Sequence, residues 1–267
     1  MPNAPLQEAV VTLTWALDRI NKDVRYDSSL DLGVGRIQHE LKSDYPKFER
    51  ILPPFIKAPL FFNYQPTFRF KAAEEYPLVQ LGSGIFTINQ SGKKYEWNQY
   101  LRTVETAFNS LWSAYQSENL QLEGLRFLLV NRLELKGFEN FLRSQNAYTE
   151  DTHLKVSTFF SDYLQHEVGT GLDSDTYSLL KQDTARTYLL PGNLGTLVIR
   201  FRDDSEPGEE QIAYWEIEVS TLNPGLNISD LVDWLTKAHG HTHEIFEKMQ
   251  ANPLLARYFA KEQLQNT

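Results

Sequence analysis

The sequence predicts an α+β protein made of two similar βαβββα halves, residues 1–120 and 121–267, with mainly antiparallel sheets and helices packed on one face. Three observations lead there. Short stretches alternate apolar and polar residues, two long stretches carry a helical apolar stripe, and the order of these stretches repeats along the chain.

The first alternating stretch is E-A-V-V-T-L-T-W at 8–15, with Ala9, Val11, Leu13 and Trp15 on one face and Glu8, Thr12 and Thr14 on the other. It reads as a half-buried strand. A helix is expected over 31–45, ending before Pro46, and a connection punctuated by Pro53, Pro54 and Pro59 follows. Strands come next near 66–73, 77–82 and 84–90, the last two joined at L-G-S-G as a hairpin. From Trp97 to Tyr115 the apolar positions Trp97, Tyr100, Leu101, Val104, Ala107, Phe108, Leu111, Trp112 and Tyr115 form one broad stripe. That spacing is an amphipathic helix.

The second half opens with a strand at L-R-F-L-L-V-N-R-L-E-L, 125–135. A weaker helix near 138–147 and an insertion over about 148–182 follow, the latter including the Gly/Asp-rich G-T-G-L-D-S-D. Strands are expected near 185–190, 195–202 and 212–221, then a helix over 228–250. Sliding the first long helix by 131 positions places Trp97 on Ile228, Val104 on Leu235, Ala107 on Ala238 and Tyr115 on Phe246, so the two stripes coincide. The match supports an internal duplication.

Composition narrows the chemistry. With 267 residues, 41% of them hydrophobic, the chain is long enough to bury a core. It has no cysteine, which removes disulfides, thiolate nucleophiles and thiolate metal sites. The start M-P-N-A-P-L-Q-E-A has neither a basic nor an apolar leader region, and no run approaches the roughly 18 apolar residues of a membrane span. A soluble, cytoplasmic protein is therefore expected. A net charge of -9, from 35 acidic and 26 basic residues, disfavours general nucleic-acid binding, which depends on neutralising phosphates.

Two groups of residues are candidates for function. On the strands, Arg126 and Arg132 share one face, while Arg200 and Arg202 alternate with Leu197, Ile199 and Phe201, and Glu216 and Glu218 with Trp215, Ile217 and Val219. Side by side, such strands would carry Arg and Glu across the face away from the helices, as weak cross-strand pairs or as a surface for a ligand or partner. Asn131 falls on the apolar side of its strand, where a buried amide needs partners and is expected to fasten a neighbouring turn.

The second group is A-H-G-H-T-H-E-I-F, 238–246. At about 100° per residue His239 and His243 fall on one flank of the apolar stripe and His241 on the other, so the three cannot share one metal on an intact helix. His239 and His243 remain as half of a metal site that needs a third ligand from elsewhere, or as histidines at the edge of a core. No nucleophile-and-base motif, phosphate loop or dinucleotide fingerprint accompanies them. The C-terminal L-L-A-R-Y-F, 254–259, is expected to cap the core or to bind a partner.

Several short motifs occur together: P-L-Q-E-A at 5–9, Y-P at 45–46, V-Q-L-G at 79–82 followed by T-I-N-Q, Y-E-W at 95–97, N-R at 131–132, and W-L-T-K-A-H before Phe246. In this order and spacing the chain resembles a sporadically distributed family of prokaryotic proteins, over almost its whole length. It departs from the family pattern at Leu128, where an arginine is usual, and at Glu216 and Glu218, where Asp is preferred. His239 fits the family's helix pattern. The patchy occurrence of that family implies mobile defence or toxin-antitoxin genes.

The expectation is a non-catalytic binding or regulatory protein without a cofactor, whose partner is another protein, a further copy of the chain included. Two other readings stay open: a metal-assisted hydrolase using His239 and His243, and nucleic-acid binding through the charged sheet face.

Overall fold

The computed structural model describes residues 6–19, 25–52, 62–115, 120–134, 140, 143–144, 178–182, 185–203, 212–222, 228–250 and 256–258. By its internal contacts the chain divides into two compact units. One comprises Ala9–Phe127 and Ser220–Leu235, the other Met1–Glu8, Leu128–Val219 and Thr236–Thr267.

In the first unit, β1 (Leu6–Trp15) buries Ala9, Val11, Leu13 and Trp15, as its alternation predicts, but Val10 and Thr12 on the other face are buried as well, so the strand is covered on both faces and not half-buried as expected. A two-stranded ribbon of β2 (Asp18–Arg19) and β3 (Arg25–Tyr26) follows, with Asp18 opposite Tyr26. Helix α1 runs Leu30–Leu41 and buries Leu30, Val34, Ile37 and Leu41. It stops short of the expected residue 45, because from Leu41 onward the chain closes only a turn, the amides of Asp44 and Tyr45 both bonding to the Leu41 carbonyl. The residue before Pro46 is pushed out of helical conformation in any case.

Strands β4 (Lys47–Arg50), β5 (Phe68–Lys71), β6 (Leu78–Gly82) and β7 (Ile85–Ser91) then form an antiparallel meander. The β6–β7 hairpin sits where L-G-S-G predicts it, Gly82 facing Ile85 and Gly84 turning the chain at φ 75°. Gly82 has a second reason to lack a side chain, since a Cβ there would lie 1.9 Å from the carbonyl oxygen of Gln65.

Helix α2 spans Trp97–Tyr115, the residues its stripe marks. Glu96 caps it, its carboxylate accepting the amides of Asn98 and Gln99 at 3.0 and 2.7 Å. These bonds hold the Glu96 carboxyl below its ordinary pKa. The buried stripe meets the sheet through Phe108 against Phe86, and through the Tyr100 hydroxyl, which bonds to the carbonyls of Ile88 and Ala9. Strand β8 (Leu122–Glu134) comes next.

The second unit takes Leu128 onward of β8 and adds β9 (Ser178–Gln182), β10 (Ala185–Leu190), β11 (Gly195–Asp203) and most of β12 (Ile212–Leu222). Helix α3 (Ile228–Gln250) enters it from Thr236. Its core gathers Tyr188, Leu197, Trp215, Ile217, Val219, Ala238, Thr242 and Ile245, all buried. Residues 178–182, within the expected insertion, pair with β10 as an edge strand. The rest of that insertion, most of the expected helix at 138–147 and half of the C-terminal 254–259 lie outside the described residues.

The strands follow the order β4-β5-β6-β7-β1-β8-β12-β11-β10-β9. The ladders from β4 to β7 and from β9 to β11 are antiparallel, and with the helices they make the protein α+β. No helix among the described residues is long and apolar enough to cross a membrane.

Candidate functional site

The meander register builds a polar row across the first unit. Glu49 faces Arg69, Arg69 faces Gln80 and Gln80 faces Thr87, so one residue from each of β4, β5, β6 and β7 lies on the sheet face opposite Phe86 and Ile88. Arg69 donates to Glu49 at 3.4 Å and to the Gln80 carbonyl at 3.0 Å. The Gln80 amide donates to Thr87 and Asn89 at 3.2 and 3.3 Å. Lys71 reaches Glu49 at 3.1 Å, and this bond is the first reason the Glu49 carboxyl sits below its ordinary pKa. Thr87 and Asn89 are buried although they face away from α2. On the same face Arg126 donates to Thr12 at 3.4 Å.

The second unit carries the charged cluster anticipated from the strand faces. Arg200 lies 2.7 Å from Glu218 and 3.6 Å from Glu216. Glu218 is only 8% exposed, so its charge is held by that guanidinium in a partly dry setting. Arg132 is half-buried on β8, and Arg202 lies on β11 with its side chain outside the described part of the structure. Asn131 is buried and donates to the Trp215 carbonyl of β12, fastening a strand where a turn was expected.

The histidines split as helix geometry requires. The rings of His239 and His243 stack with centroids 5.9 Å apart and planes 7° from parallel, and the His243 Nε2 approaches Glu247 at 3.3 Å. Burial, helped by the charge of His243, pushes His239 down to about 4, so it is neutral at neutral pH. Burial also lowers His241. Among the described residues no group of three His, Asp or Glu stands close enough to hold a metal ion.

Asp27 was not anticipated from the sequence. It is 9% exposed and collects donors from four elements: the Trp15 indole at 3.2 Å, the Tyr115 hydroxyl at 3.1 Å, the Ser29 amide at 3.1 Å and the Gly84 amide at 3.4 Å. It borders a cavity of about 360 Å³ that Asp18, Tyr26, Ser28 and Gln121 also line. A lone Asp ahead of a helix reads as an ordinary turn residue, and nothing in its neighbours signals that Trp15 and Tyr115 converge on it. A second, more open cleft of about 620 Å³ lies between the end of α1, the β5–β6 connection and α2, with Tyr45, Glu74 and Arg102 in its wall.

Fold and surface together define an antiparallel α+β protein with polar cross-strand rows on the sheet face away from the helices. Comparison with protein-family models finds no match, and comparison with curated proteins finds none either.

Proposed function

We propose that the protein is a non-catalytic binding or regulatory protein, working in the cytoplasm, that engages another protein through the polar sheet faces of its units, each taken by itself. What carries this reading is the pairing of signs on those faces. Arg69 is matched by Glu49, and Arg200 by Glu216 and Glu218. A surface for nucleic acid needs unmatched cations to displace counterions from phosphates. A surface for a protein needs fixed donors and acceptors of both signs, held in register before the partner arrives.

The resemblance to a sporadically distributed prokaryotic family supports placing that partner in a defence or toxin-antitoxin system. The strand order supports the duplication: one half reads β4-β5-β6-β7-β1 and the other β9-β10-β11-β12-β8, so in each half the first strand lies beside the last.

A photoreactive amino acid placed at Glu49 or Glu216, with exposed Asp31 on α1 as control, tests the reading in cells. The expected result is one discrete protein adduct from the sheet positions, absent from the control and abolished at the Glu216 position by Arg200→Ala. A partner that is a second copy of the chain would appear as a dimer-sized adduct. Nuclease-sensitive adducts, or adducts from all three positions alike, would overturn it.

A further inference from the structure

The Asp27 carboxylate joins β1, the start of α1, the β6–β7 turn and the end of α2 through neutral donors, and the two oxygens share the load unequally. Among the described residues, Oδ2 accepts from Trp15, Tyr115 and the Gly84 amide, while Oδ1 accepts from the Ser29 amide alone. A proton added to this carboxyl goes to the less loaded oxygen, Oδ1, and turns it from a carboxylate into a hydroxyl oxygen, a poor acceptor from which the Ser29 amide is readily lost, while the three donors at Oδ2 stay in place. Ser29 is the residue before α1, and Ser28 and Ser29 both form part of the cavity wall.

We propose that Asp27 is an acid-operated latch: protonation of its carboxyl frees the Ser29 amide and loosens the first turn of α1 beside the cavity, while the first unit stays folded.

The surrounding groups fit this role. From α2 comes Tyr115, whose hydroxyl burial and Asp27 push well above its ordinary pKa, with Asp31 of α1 adding to the effect. From β2 comes Asp18, which accepts the Ser28 hydroxyl at 2.6 Å. Beside Gly84 stands Tyr64, bonded to Glu123 and influenced by Arg25. From β1 comes only the neutral indole of Trp15.

Burial raises the Asp27 carboxyl above 3.8, and the four hydrogen bonds offset that rise only in part. An acid whose pKa is higher in the folded state binds its proton more tightly folded than unfolded. Acidification through that pKa adds to global stability, so what opens is local.

Nuclear magnetic resonance of the whole chain reads both ends of the latch. As the pH is lowered from about 7 to below the Asp27 transition, the protection of the Ser29 amide, corrected for intrinsic exchange, is expected to fall about tenfold, the loss of one hydrogen bond. The Trp15 indole signal should titrate in step while those of Trp97, Trp112, Trp215 and Trp234 stay still. Asp27→Asn should leave Ser29 unprotected at both pH values, and Asp31→Asn should keep the wild-type response. Unchanged Ser29 protection in the folded wild type at low pH, or a flat Trp15 signal, overturns the latch even if Asp27→Asn fails to fold.

Discussion

Replacing Arg200 by alanine tests whether the charged sheet face is a fixed arrangement or a set of loose surface pairs. The substitution leaves Glu216 and Glu218, two residues apart on one strand face, without their shared cation. A hydrogen bond to a charged group contributes about 1.5–3 kcal/mol when buried, and an exposed pair about 0.2–1 kcal/mol. The Arg200 side chain is 41% exposed and that of Glu218 only 11%, which places the pair between these limits. Discounted for solvent screening, the Arg200–Glu218 coupling is about 1 kcal/mol, and Arg200→Ala costs about 2 kcal/mol once the repulsion between the two carboxylates, no longer bridged by Arg200, is included. Urea denaturation of wild type, Arg200→Ala, Glu218→Gln and the double variant gives the coupling directly. Glu218→Gln in the Arg200→Ala background should recover part of the loss. A coupling below about 0.3 kcal/mol, within the scatter expected of independent sites, would refute the reasoning.

Three other substitutions probe the frame that carries this face. Gly82→Ala drives a methyl into the Gln65 backbone and should cost more than about 3 kcal/mol, read as loss of soluble folded protein or a large drop in urea midpoint; a near-neutral result would mean that the segment around Gln65 moves freely. Phe108→Ala empties a fully buried site against Phe86 and should cost about 3–5 kcal/mol by the same measurement. His239 titrates at about 4 when folded against 6.5 for the unperturbed group, so the unfolded chain takes up the proton first and stability should fall as the pH drops from 6.5 toward 4. His239→Phe should reduce that slope in the midpoint-against-pH profile, leaving the share that comes from His241, and an unchanged slope would place its origin elsewhere.

Most of the frame is legible because its signals are local. Trp97–Tyr115 carries a helical stripe, and β10 covers the residues 185–190 expected of it. The short elements are not legible. K-F-E-R of β4 is mostly charged and shows itself as a strand through its pairing with β5, where Phe48 stacks on Phe68 and lies tilted against Phe70. The β2–β3 ribbon has two residues per strand, too few for any period to show. On the sheet face, the alternation of F-R-F-K and L-V-Q-L says that Arg69 and Gln80 turn away from the core. That they meet, and meet Glu49 and Thr87, depends on hairpin register, and a slip of one residue would send them to the opposite face.

By itself the sequence determined the α+β class, the absence of thiol chemistry, the separation of His241 from His239 and His243, and the gathering of Arg200, Glu216 and Glu218 on outward strand faces. Each of these follows from composition or from a period of two or 3.6 residues, which neighbouring residues along the chain reveal. Only the tertiary structure decided that Asp27 stands between Trp15, Ser29, Gly84 and Tyr115, and that Glu49, Arg69, Gln80 and Thr87 form one row. Those contacts join residues far apart in the chain, and their partners are chosen by strand register and helix packing, which no local pattern encodes.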